Sequence, residues 1–237
     1  MLLFYVRHGE PIYKPDQLTY LGKMQAEAVG KRLARLGMDK IYSSTSTRAF
    51  QTAEPLAKML RKEITQLSFC HESTAFQEFS VVGEDGKRHW GFETPAVKKM
   101  FVSPEVRALG DRWYDYPHFP ENGFRKGTER VRRETHAFLR ELGYEYDEEN
   151  RCYRELFENN ERIALFAHDG FGRIFLSTVL DIPYPLYSVH FAMFHSTVTV
   201  IEFKNQEGAV IPQVLSLGND GHIYREGLPL AILGQKF

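Results

Sequence analysis

Along this chain the apolar positions alternate between continuous or every-second runs and a spacing near 3.6, and the switches outline successive elements. Leu2 to Val6 is an unbroken apolar run of β-compatible residues, the pattern of a strand covered on both faces. Leu21, Met24, Ala28, Val29, Leu33 and Leu36 then recur at helical spacing, with Thr19 placed as N-cap and Gly37 as terminator. KIYSS at 40–44 predicts a second strand. Thr47 to Leu60 predicts a second helix, with Pro55 either near its regular start or at a kink. A further helix is predicted from Glu129 to Leu142. RIALFAHDG at 162–170 repeats the opening theme, an apolar strand ending in histidine and glycine, and runs into the helix-like FGRIFLSTVL. TVTVIEF at 197–203 and QVLSL at 213–217 have the pattern of late strands. Between 80 and 130 the periodicity fails among GEDGK, several prolines and both tryptophans, so an inserted cap or lid is expected there.

Strands alternating with helices predict an α/β sandwich with a largely parallel sheet, and 237 residues commonly fold as one domain. A single domain over 1–237 is expected, with 80–130 as the cap. Ligands in such folds gather beyond the carboxyl ends of the strands. Arg7, His8 and His168 all lie at such ends.

Composition narrows the function by exclusion. Hydrophobic residues make up 43% and charged residues 26%, ordinary globular usage rather than that of a disordered chain or a coiled coil. A net charge of −1 gives no electrostatic case for a nucleic-acid or membrane partner, so any anion site must be local. Met1 to Val6 is too short for a signal core or a membrane span. A cytoplasmic protein is expected, with its only cysteines, Cys70 and Cys152, reduced and structural.

Two strand ends that deliver histidines beside glycines allow both imidazoles and nearby backbone N–H groups to converge on one small anion. Arg7 adds a forked cation suited to phosphate oxygens, and Arg48, near the start of the second helix, is another. Taken singly, each residue has a bland reading as a surface ion-pair residue or a satisfied strand-end histidine. Their joint occurrence at comparable strand ends favours a phosphate pocket. A histidine held there can attack phosphorus directly, which requires no metal. His190 and His195 match no zinc spacing and read as structural. The aromatics of 80–130, Trp90, Phe92 and Trp113 among them, fit either a small core of their own or a lid that shapes an apolar substrate pocket.

RHGEP at 7–11, LTYLGKMQA at 18–26, SSTSTRAFQTAE at 43–54, FQEF at 76–79 and FAHDG at 166–170 together resemble the histidine phosphatase superfamily, also called phosphoglycerate mutase-like. The resemblance covers about 1–80 and 160–222, where GNDGHI also looks like a family motif. It implies a three-layer sandwich with a mixed sheet flanked by helices, no metal and no cofactor. By the same resemblance His8 is the phosphorylated nucleophile, Arg7 and Arg48 bind phosphate, His168 is the second pocket histidine, and Glu78 protonates the leaving group. Asp169 stands where many relatives have glycine and competes with Glu78 as proton donor. Lys14 lies near where mutase-like members carry asparagine, in a segment shorter than theirs, which favours hydrolysis. The implied function is hydrolysis of a small phosphorylated metabolite. A phosphoglycerate-type mutase and a non-catalytic phosphate-binding domain remain alternatives, and a homo-oligomer is compatible with all three.

Overall fold

Leu2–Arg7 (β1) lies inside a six-stranded sheet, and its side chains explain why the run is continuously apolar. Leu3 and Tyr5 enter the core on one face while Phe4 and Val6 enter the core on the other, all at most 4% exposed. The computed structural model describes residues 1–229 and the backbone of 231–232 and 235–236. Leu230, Leu233, Gly234 and Phe237, part of the domain expected over 1–237, lie outside the described residues.

The other strands are Lys40–Ser44 (β2), Ile64–Leu67 (β3), Arg162–Ala167 (β4), Val198–Glu202 (β5) and Gln213–Asn219 (β6), in spatial order β6-β5-β1-β4-β2-β3. β1, β4, β2 and β3 run parallel, and β5 is antiparallel to β1 and β6. The sheet is therefore mixed and flanked by helices. On one face lie Tyr20–Leu36 (α1) and Thr47–Leu60 (α2), which bury Val29, Leu33, Ala53 and Leu56 against Phe4, Val6 and Phe166. On the other lie Phe124–Glu141 (α4) and Asp169–Val179 (α5), with the short helix Glu72–Phe79 (α3) beside them. Among the described residues no helix is long and apolar enough to cross a membrane.

The ends of α1 follow the sequence: Thr19 accepts from the Gly22 N–H at 2.9 Å, and Gly37 ends the helix at φ 73°. Two expectations change. α2 starts at Thr47, so Pro55 lies in its interior and neither begins it nor needs to; the proline ring packs against α1, 3.1 Å from where a Cβ on Gly30 would stand. α4 begins at Phe124, five residues before the helix expected from Glu129. Gly127 looks like a breaker in the sequence but is required by the crossing, since a Cβ there would lie 2.4 Å from the Phe79 ring.

Residues 80–130 form a hairpin (Ser80–Val82 with Arg88–Trp90), two short helices (Pro95–Phe101 and Pro104–Ala108) and a 3₁₀ segment (Gly110–Asp115) before α4 begins. Their aromatics bury into the main core: Phe101, Trp113, Phe124 and Tyr184 lie with ring centroids 5.3–5.8 Å apart.

The in-step pairing of β1 with β4, Leu2 opposite Arg162 through Arg7 opposite Ala167, brings His8 and His168 side by side where both strands end. The chain then turns under α1 with backbone against backbone. A Cβ on Gly9 would stand 2.6 Å from the Gly22 carbonyl oxygen, and one on Gly22 would stand 2.2 Å from that of Glu10. Gly22→Ala is therefore expected to cost about 1–3 kcal/mol in urea unfolding, because no side chain can move aside. Lys23→Ala, exposed one residue later, is expected to stay within about 0.5 kcal/mol.

Candidate active site

His8 is 2% exposed and sits just past the end of β1. Its Nδ1 lies 2.7 Å from the Gly9 carbonyl oxygen, which can only accept, so Nδ1 carries the proton and Nε2 keeps its lone pair. Arg48 donates from Nε to that Nε2 at 3.2 Å and from a terminal nitrogen to His168 Nδ1 at 3.1 Å. Since the guanidinium only donates, His168 Nδ1 is bare and its Nε2–H donates to Ser44 Oγ at 2.9 Å. Arg48 in turn is held by Asp16, whose Oδ1 accepts from it at 2.7 Å while Oδ2 accepts from the Thr47 N–H at 2.7 Å. The 11–18 hairpin thus braces the start of α2.

Arg7 reaches to the other side, donating to the Met193 carbonyl and, at 3.0 Å, to His195 Nε2. The His195 ring centroid lies 5.5 Å from that of His8. Two buried donors at this spot, Arg7 Nε and His195 Nδ1, have no partner among the described residues. Unpaired buried polar atoms are costly, and here they are N–H groups beside a cation, as an anion requires. His195, read from sequence as structural, belongs to the site.

Asp169 opens α5 and turns to Arg173, one turn on, which donates to its two oxygens at 3.2 and 2.9 Å. The Met193 N–H donates to the same carboxylate at 3.1 Å. Asp169 is thereby neutralised, and it ties down the segment whose carbonyl holds Arg7. Lys14 lies exposed on the hairpin and does not line the cleft, whereas Tyr13 and Asp16 of that hairpin reach Arg48.

The structure does not bring Glu78 into the cleft. It is 6% exposed and turned to Arg130 of α4, which donates to Oε1 at 2.9 Å and to Oε2 at 2.7 Å. Glu72, in the first turn of the same helix, does line the cleft, and its carboxyl group accepts from the Gly170 and Phe171 N–H groups at 3.1 and 3.0 Å. A signal for Glu72 was present: it follows β3, at the same carboxyl edge as the histidines. That strand escapes sequence reading because only Ile64 and Leu67 of ITQL are apolar.

The local field is unusual. Burial, then the neighbouring His168, Arg7 and Arg48, hold His8 well below the ordinary histidine range. Burial and Arg48 do the same to His168, and burial and Arg7 push His195 down to about 3. All three rings are neutral at pH 7. Burial raises Glu72 to about 7, against the backbone N–H of Phe171, which favours its ionised form. Trp90 contributes to that burial. A Cβ on Gly170 would lie 2.3 Å from the indole and 2.9 Å from Glu72 Oε1, so ring and carboxyl group adjoin the same point of the backbone. Arg7, His8, Arg48, Glu72, Trp90 and Asp169 line a cleft of about 390 Å³. Among the described residues no group of three or more His, Cys, Asp or Glu side chains is placed to hold a metal ion.

Comparison with known proteins matches residues 3–78 to the histidine phosphatase superfamily (branch 1). The Drosophila melanogaster serine/threonine-protein phosphatase Pgam5, mitochondrial, is 33% identical over 126 residues, which is 49% of this chain and 41% of that protein. The Drosophila persimilis protein of the same name is 30% identical over the same shares. This chain spans about two fifths of the length of these curated relatives. Among solved structures, a mycobacterial glucosyl-3-phosphoglycerate phosphatase complexed with VO3 superposes with a TM-score of 0.58 at 18% identity, over 92% of this chain and 99% of that one. A phosphoserine phosphatase variant from Entamoeba histolytica, complexed with phosphoserine, gives 0.60 at 18% identity, over 94% and 98%. The fold is shared across nearly the whole chain, and residues 3–78, which carry Arg7, His8, Arg48 and Glu72, match the model of the histidine phosphatase superfamily (branch 1).

Proposed function

We propose that the chain is a phosphomonoesterase that hydrolyses a small phosphorylated metabolite through a phosphohistidine on His8. The observation that carries this reading is the His8 ring itself: neutral, its proton fixed on Nδ1 by the Gly9 carbonyl, its Nε2 lone pair set beside Arg48. An arriving phosphate takes over the donors of Arg48 and meets the unpaired N–H groups of Arg7 and His195. Nε2 then attacks phosphorus, the ester P–O bond breaks, and Glu72 gives its proton to the leaving oxygen. Water attacks the phosphohistidine in the second step, Glu72 takes the water proton, the P–N bond breaks, and inorganic phosphate departs. The guanidiniums stabilise the equatorial oxygens in both steps.

The cleft volume is in the range of small-molecule sites, which supports a metabolite as substrate. A cytoplasmic setting is part of the proposal and is supported by two unbridged cysteines, Cys70 and Cys152.

Hydrolysis of an aryl phosphate by the purified protein is expected to survive EDTA and to fall by about 10³-fold or more in His8→Ala. Activity that survives this substitution would remove His8 as nucleophile.

With an alkyl phosphate, whose leaving oxygen needs a proton, Glu72→Gln is expected to slow turnover by about 10²–10⁴-fold, and much less with an aryl ester. Neither Glu78→Gln nor Asp169→Asn should show that dependence. If either does and Glu72→Gln does not, the acid is misassigned.

The pH profile follows from the same groups. Glu72 must be protonated, so kcat/KM falls as pH rises through about 7, while the acid limb set by His8 lies well below 6.5. Trp90→Ala, which admits water to the carboxyl group, is expected to move the basic limb toward lower pH.

A further inference from the structure

The phosphate end of the cleft is cationic, but the end that would receive the alcohol is not. Among the described residues Arg7 and Arg48 are the only arginine or lysine side chains lining it, and both belong to the phosphate floor. Three carboxyl groups line it: Glu72, the proton carrier; Asp169, matched by Arg173; and Glu93, which has no ion-pair partner among the described residues. The Glu93 N–H donates to the Trp90 carbonyl at 3.0 Å, closing a turn from which both residues line the cleft, Glu93 being exposed. Trp90 stands in a wall of rings, edge-on to Phe76 at 5.1 Å between centroids and stacked on Phe92 at 5.2 Å. Arg173, the nearest guanidinium on that side, lies with its centre 4.0 Å from the Phe92 ring centroid and donates to Asp169 and to the Ser188 carbonyl rather than to Glu93. His89, the nearby imidazole of the hairpin, is engaged by Asp85 at 2.9 Å.

A ring face beside an unmatched carboxylate is the chemistry that recognises an ammonium group. It also disfavours a second anion, which would meet the Glu93 carboxylate where no cation is paired with it among the described residues. Resting on the phosphatase reading above, we propose that the leaving-group side of this cleft selects phosphate esters of alcohols bearing a positively charged amine, and disfavours those bearing a carboxylate or a second phosphate. The selectivity resides in Glu93 and the Phe76–Trp90 wall. The same charge pattern disfavours a phosphoglycerate-type mutase, whose substrate and cofactor carry extra anionic groups.

Two phosphonates of matched length test this on the wild-type protein without turnover: 2-aminoethylphosphonate and 3-phosphonopropionate, which differ in carrying an ammonium or a carboxylate. In calorimetric titration the amine is expected to bind about tenfold more tightly, the size of one exposed ion pair together with one ring contact. Glu93→Gln should bring the ratio toward one, and Glu93→Lys should invert it. Equal or tighter binding of the carboxylate by wild type, a ratio that Glu93→Gln leaves unmoved, or no binding of either compound would overturn the proposal. Because nothing is hydrolysed, the selectivity can fail while aryl phosphate turnover stands, and it can hold if turnover fails.

Discussion

Two guanidiniums and three neutral imidazoles are packed together at one edge of a sheet, and the surrounding protein supplies too little negative charge to match them. Arg48 has Asp16; Arg7, among the described residues, has no carboxylate within ion-pairing distance, only a carbonyl and an imidazole nitrogen. Burial first, and then the neighbouring positive charges, hold all three histidines below the ordinary histidine range. A phosphate dianion is the ligand that the proposed function places here. In the proposed function it supplies acceptors for the unpaired N–H groups and a counter-charge for both arginines.

Such a cluster persists only if the scaffold prevents it from relaxing. The parallel register of β1 and β4 fixes the spacing of His8 and His168, and the Gly9–Gly22 contact leaves the turn after His8 no room to shift. From the far side, Asp169 holds both Arg173 and the Met193 N–H, which keeps the Met193 carbonyl on Arg7. The carboxylate that looked like a rival acid in the sequence is a fixture of this frame. Glu78 is another: paired with Arg130, it fastens α3 to α4 and so sets the height at which Glu72 meets the cleft.

Much of this was legible in the chain. β1, β4 and the start of α2 are defined by continuous apolar runs and clear caps, and with them come Arg7, His8, Arg48 and His168. Glu72, the proposed proton donor, was not, because β3 is an edge strand whose exposed Thr65 and Gln66 erase the apolar pattern. Without that strand, its carboxyl end and Glu72 go unseen, and the glutamate six residues later takes its place. His195 was lost for a different reason: its role depends on Arg7, 188 positions away, and no local spacing records such a contact. Residues 80–130 are obscure in sequence because their burial is set by long-range aromatic packing rather than by a period.

The central claim is that His8 Nε2 forms a bond to phosphorus. The direct measurement is to mix the protein with an aryl phosphate, quench within milliseconds in alkali, where phosphohistidine survives and acyl phosphates do not, and map the phosphoryl group by mass spectrometry of the N-terminal peptides. The account predicts one phosphoryl group on His8, appearing and decaying at rates that match turnover. A protein that turns over the ester at full rate with His8 unmodified, or with the phosphoryl group on another residue, would contradict it.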